Sequence, residues 1–238
     1  MAKEKYPFRM MDDARFMRGV AWALLVFTVL GFVPTYFVPL SDGSFATDEF
    51  WMHPHAIAGF AFAAFFIAQP TMVLKGNWKV HRTMGAVVGL AVIAAAITGL
   101  GVQFEMFPRE GELKGKAVSD AFRTFQLTPL LVGFFIWGVL MRRRPDWHWR
   151  LMYASAIAPF GTVIGRYVRM VPEIIDPTMV GQMTSLFYTL TAVVLLVYDF
   201  VRYRRLHPAS LIGLAVIIVT TVIVLQIGFS DWWQGIAL

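Results

Sequence analysis

The chain has 238 residues, of which 58% are hydrophobic and only 15% charged, where a soluble domain is about 45–50% apolar and about 25% charged; the composition is that of a membrane protein. The absence of cysteine excludes disulfides, thiolate zinc sites, iron–sulfur clusters and covalently attached c-type haem, and leaves His, Met, carboxylate and backbone groups to hold any cofactor. A net charge of +6 from 21 basic and 15 acidic residues reads as a topology signal once its distribution is followed, and nucleic acid is not an expected partner.

A spanning helix needs about 20 mostly apolar residues to cross about 30 Å of hydrocarbon. After a charged segment 1–18, seven stretches meet or approach that length: 19–38, 56–74, 84–104, 124–141, 151–168, 179–198 and 211–230, with a tail 231–238. The fourth carries Thr124, Gln126 and Thr128, and the fifth carries Arg166 near its far end, where a long side chain snorkels to the interface. Stretch 19–38 is too long for a signal-peptide core, and no small-residue cleavage site follows before Pro39, so it is read as retained. Pro34, Pro70, Pro129 and Pro159 fall in or near spans and predict kinks.

With the N-terminus cytoplasmic, 15 of the 21 basic residues fall on the cytoplasmic side, in 1–18, 75–82, 142–150 and 202–205. The expectation is therefore an all-α, seven-span bundle in a bacterial inner membrane, N-terminus cytoplasmic and C-terminus periplasmic, with the lipid bilayer as its first partner. The last span has no lysine to bind retinal, no Ser-His-Asp, HExxH or phosphate-cradling motif occurs, and no Asp or Glu lies inside a span, which argues against an ion pump.

Four of the five histidines sit at helix starts. His81 opens the third helix and His148 the fifth, both from the cytoplasmic side, at matched depth on helices running the same way. Two imidazoles at one level are what a bis-histidine haem requires, with narrow residues beside them for a flat ring. Gly85 and Gly89 follow His81 at helical spacing, and Met152, Ser155 and Ala156 follow His148. The same residues also suit an interfacial belt, since Trp78, Lys79 and Arg82 flank one histidine and Trp147, Trp149 and Arg150 the other. At the outer side, His55 is the first inward-facing residue of its helix, followed by Gly59; the fourth helix offers Arg123 and Gln126 but no histidine, so a quinone head or interhelical bonding suits it better than a second haem. Arg166, Arg169 and Arg123 are expected to pair with Glu173 or Asp120, to grip lipid phosphate or to bind an anionic headgroup. His207, in RRLHP, reads as solvent-exposed.

The landmarks HPHAIAGF (53–60), WKVHRTMG (78–85) and HWRLMYASAIA (148–158), followed by Arg166, resemble an uncharacterised bacterial multi-pass family known only as a domain of unknown function, over about residues 50–170. More distantly they are similar to the ascorbate-reducible transmembrane b-type cytochromes. That resemblance implies His81 and His148 as the ligands of one haem b, the metal-holding pair, and His55 as one ligand of another whose partner this chain lacks.

The expected function is thus an integral membrane redox component using b-type haem or quinone, with His81, His148, His55, Gly85 and Arg166 at its cofactor sites and a redox protein or other membrane subunits as further partners. The alternative is a cofactor-free accessory or scaffold subunit of a larger complex, docking through small residues such as Ala94, Ala95, Ala96 and Gly99.

Overall fold

The computed structural model describes residues 9–45, 50–106, 116–171, 173–174, 179–228 and 230–232. Its elements are α1 (Met10–Phe32), continued through a π-helical turn (Val33–Phe37) into α2 (Val38–Asp42), then α3 (Met52–Leu74), α4 (Trp78–Met106), α5 (Lys116–Leu140), α6 (Pro145–Gly161), α7 (Ile164–Met170), α8 (Val180–Tyr203) and α9 (Pro208–Gly228). No strand occurs among the described residues. Met10–Asp42, Met52–Leu74, Trp78–Glu105, Val180–Tyr203 and Pro208–Ile227 are long and apolar enough to cross a bilayer. The chain is therefore a multi-pass membrane helix bundle.

Two expected spans take a different form. The apolar described part of α5, Gln126–Leu140, is shorter than the other five. The stretch 151–168 is broken into α6 and α7 by a turn at 162–163. Pro159 lacks the N–H that would close the last turn of α6, which favours that stop, and the Thr162 hydroxyl donates to the Pro159 carbonyl at 2.7 Å. At Pro34 the same missing donor falls within the π-helical turn, and Thr35 donates its hydroxyl back to the Gly31 carbonyl at 2.6 Å.

α6 is the axis of the bundle. It packs against α1, α5, α8 and α9, while α1–α3, α3–α4, α4–α5, α5–α9 and α8–α9 pack around it. Its sequence explains the position: Ala154, Ser155, Ala156, Ala158 and Gly161 are narrow on every face and all buried, so neighbouring backbones approach closely where no hydrophobic effect drives helices together. The closest approach is at Gly161, where a Cβ would lie 2.1 Å from the Tyr188 ring. Of the aromatic run in α3, Phe62 and Phe66 are buried and lie parallel, with Phe160 of α6 beside both. Ala95 and Ala96, expected to face a partner protein, are buried within the chain itself.

Candidate functional site

The local sequence places both His81 and His148 in first helical turns. Gly76 takes the left-handed φ of +67° that ends α3. Asn77 then caps α4, its Oδ1 accepting the Val80 N–H at 3.2 Å and its backbone carbonyl that of His81 at 3.0 Å. Pro145 opens α6, its ring fixing a helical φ where no N–H is needed, and His148 follows within the turn.

The two imidazoles come together. Their ring centres are 6.4 Å apart and their planes cross at 87°. The His148 Nδ1 lies 2.8 Å from the Gly138 carbonyl, which can only accept; Nδ1 therefore carries the proton and Nε2 keeps its lone pair. His81 Nδ1 is buried with no hydrogen-bond partner, as is the Nε2 of Gln69 on α3. One turn along α4, the space where a Gly85 side chain would begin is open, with nothing within 4 Å; at Gly89 a Phe135 ring stands 3.6 Å away.

A donor set of two imidazoles fits a single bridging metal ion. A metal–imidazole bond of about 2.0–2.1 Å on each side separates the ring centres by roughly 6.3 Å, close to what is observed. Carbonyl anchoring of the non-ligating nitrogen is the usual way a metal-binding histidine is held in one orientation. No group of three or more His, Asp or Glu side chains suited to a metal occurs among the described residues.

The outer histidines are occupied by neighbours. His53 Nδ1 is 2.7 Å from the Tyr36 hydroxyl, joining α3 to the π-helical turn. His55 Nδ1 is 3.2 Å from Thr98 Oγ1 on α4, and that hydroxyl donates to the Ala94 carbonyl at 2.7 Å; Thr98 thus accepts from His55. Gly99 lies against the same imidazole, where a Cβ would come within 3.3 Å. Arg166 reaches the end of α1 and the π-helical turn: it donates to Thr35 Oγ1 at 2.8 Å and lies over the Phe32 ring at 3.7 Å. The side chains of Arg123, Asp120 and Arg169 lie outside the described residues.

The correction concerns His207. Instead of facing solvent it is 1% exposed and belongs to a polar network, where α6, α8 and α9 meet, that sequence reasoning missed. Arg150 and Asp199, neither of them exposed, form a buried ion pair. The Arg150 Nε donates to Asp199 at 3.0 Å and its Nη1 to the Asp146 carbonyl at 2.8 Å. Asp199 also accepts the Ser210 hydroxyl at 2.6 Å and the His207 N–H at 3.2 Å. His207 Nε2 lies 3.1 Å from Asp146 Oδ2, and its Nδ1 accepts the Ala209 N–H at 3.1 Å. The signal was present in α8, where Asp199 continues the buried stripe Thr184, Tyr188, Ala192, Leu195 at helical spacing.

Between α5 and α9 runs an open, mostly apolar groove of about 520 Å³, lined by Pro129, Gly133, Phe134, Trp137, Val216 and Ile223 among others, and crossed by a 2.8 Å hydrogen bond from Gln126 to Thr220. Comparison with family models, curated proteins and solved structures finds no match for this chain.

Proposed function

We propose that this chain is an integral membrane redox component that holds one b-type haem between His81 and His148 and exchanges electrons with a quinone. The observation that carries the reading is the approach of two imidazoles at 6.4 Å and 87°, with His148 fixed in the ligand-competent tautomer by the Gly138 carbonyl. His81 and His148 would hold the haem iron, Gly85 would leave room beside them, and Gly138 would be the positioning group. The haem would supply one-electron chemistry, while the chain sets its orientation and its dielectric surroundings. The groove between α5 and α9 suits the apolar body of a quinone, and Trp137 in its wall adjoins Gly138.

The reading includes seven spans, with α5 as the fourth and α6 with α7 as the fifth, in a bacterial inner membrane. The short basic connections support a cytoplasmic N-terminus and a periplasmic C-terminus, which sets His81 and His148 toward the cytoplasm. His55, bonded to α4, and Arg166, bonded to the π-helical turn, then mark the periplasmic half, where the fourth span brings no histidine to face His55 for another haem.

The test is a reduced-minus-oxidised spectrum of the purified protein with a pyridine haemochrome assay. The expected result is b-type bands at about one haem per chain, lost in both His81→Ala and His148→Ala. A folded wild-type protein produced with adequate haem supply and showing neither bands nor haem overturns the reading.

A further inference from the structure

α1 extends beyond its apolar stretch 19–38, and its first two turns carry Asp12, Asp13, Arg15 and Arg18 ahead of it. Asp13 is 2% exposed. Its Oδ1 accepts the hydroxyls of Tyr198 at 2.8 Å and Tyr203 at 2.6 Å, both from the end of α8, whereas its Oδ2 is buried with no partner.

The charges facing it are spent elsewhere. On its own helix, Asp12 pairs with Arg15 and, across to α8, with Arg202. From α6, Arg150 is bound to Asp199 of α8, and its guanidinium lies 5.4 Å from the Tyr203 ring centre; Arg150 favours and Asp199 opposes a charge on Asp13. Among the described residues no cation is in ion-pair contact with Asp13. A buried carboxylate with one bare oxygen and no counter-charge is relieved most directly by binding a proton.

We propose that Asp13 is a proton-binding site at the cytoplasmic end of the bundle. A proton from cytoplasmic water adds to Oδ2 while Tyr198 and Tyr203 hold Oδ1, and the reverse step returns it; no electron moves. The network reaches the first residues of the helix, because the Tyr203 hydroxyl also accepts the Arg9 N–H at 3.3 Å. The site shares no residue with the histidine pair, and its test does not depend on bound haem.

The experiment is infrared titration of the full chain in lipid. The expected result is a protonated-carboxyl C=O band at neutral pH that shifts in D2O, persists in Asp12→Asn and disappears in Asp13→Asn. Tyr198→Phe and Tyr203→Phe keep their rings but remove donors to the carboxylate; each should raise the band's titration midpoint by about one pH unit or more. Superimposable carboxyl regions in wild type and Asp13→Asn, or, should Asp13→Asn fail to fold, no band change in the two phenylalanine variants, overturns the proposal.

Discussion

The guanidinium of Arg150 and the carboxylate of Asp199 meet with no part of either side chain exposed, 49 residues apart in sequence. Removing one member strands the other in a low-dielectric interior, at a cost of about 3–5 kcal/mol. Arg150→Met and Asp199→Leu should each destabilise the protein by that order, and the double variant by clearly less than the sum, in thermal or denaturant unfolding of the purified protein. Residual loss is expected in the double variant, because the Ser210 hydroxyl and His207 N–H also depend on Asp199.

Gly85 separates a site for a flat ring from ordinary helix surface. Its side-chain position is open, so Gly85→Ala should stabilise α4 by about 0.5–1 kcal/mol. Gly85→Leu extends into the same space beside His81; it should lower haem content while leaving the haem-free protein at least as stable as wild type. Unchanged haem content in a folded Gly85→Leu variant would place the ring elsewhere.

Two glycines of similar tightness should respond differently to alanine. At Gly161 the added Cβ meets the Tyr188 ring at 2.1 Å, and that ring is held by its hydroxyl on the Ala158 carbonyl at 2.8 Å. At Gly138 the Cβ meets the Met152 terminal methyl at 2.3 Å, the mobile end of a flexible side chain. Gly161→Ala should cost about 1–3 kcal/mol, and Gly138→Ala distinctly less, as compared by shifts in unfolding midpoint.

His207 makes its end of the bundle acid-sensitive. Its neutral ring donates from Nε2 to Asp146 and accepts the Ala209 N–H at Nδ1. Burial first, and then the Arg150 charge, hold it below its ordinary range despite Asp146 and Asp199. The unfolded chain therefore takes up the proton more readily, so this stability is present above about pH 6.5 and is lost as the pH falls toward the folded value. His207→Gln should flatten that part of the stability profile, measured by unfolding from neutral to mildly acidic pH.

Hydropathy was sufficient to locate the long apolar helices, because a bilayer demands length and lack of charge and little else. It was poorer at α6 and α7, where a proline and a turn interrupt one apolar run. The approach of His81 to His148 was legible because both open helices from the same side. His207 misled, since RRLHP looks like any exposed connection until the fold turns Asp146 and Asp199 toward it. Asp13 was hidden for a similar reason: its place on the stripe Met17, Ala21, Leu24, Thr28 shows at helical spacing, but the tyrosines that bury it come from nearly 190 residues later.

The central position of α6 bears on how the bundle is assembled during synthesis. This helix lies outside the set long and apolar enough to cross a bilayer, and its second turn carries an arginine whose counterion arrives only with α8. The seating of α6 in the bundle therefore depends on a segment that is synthesised after it.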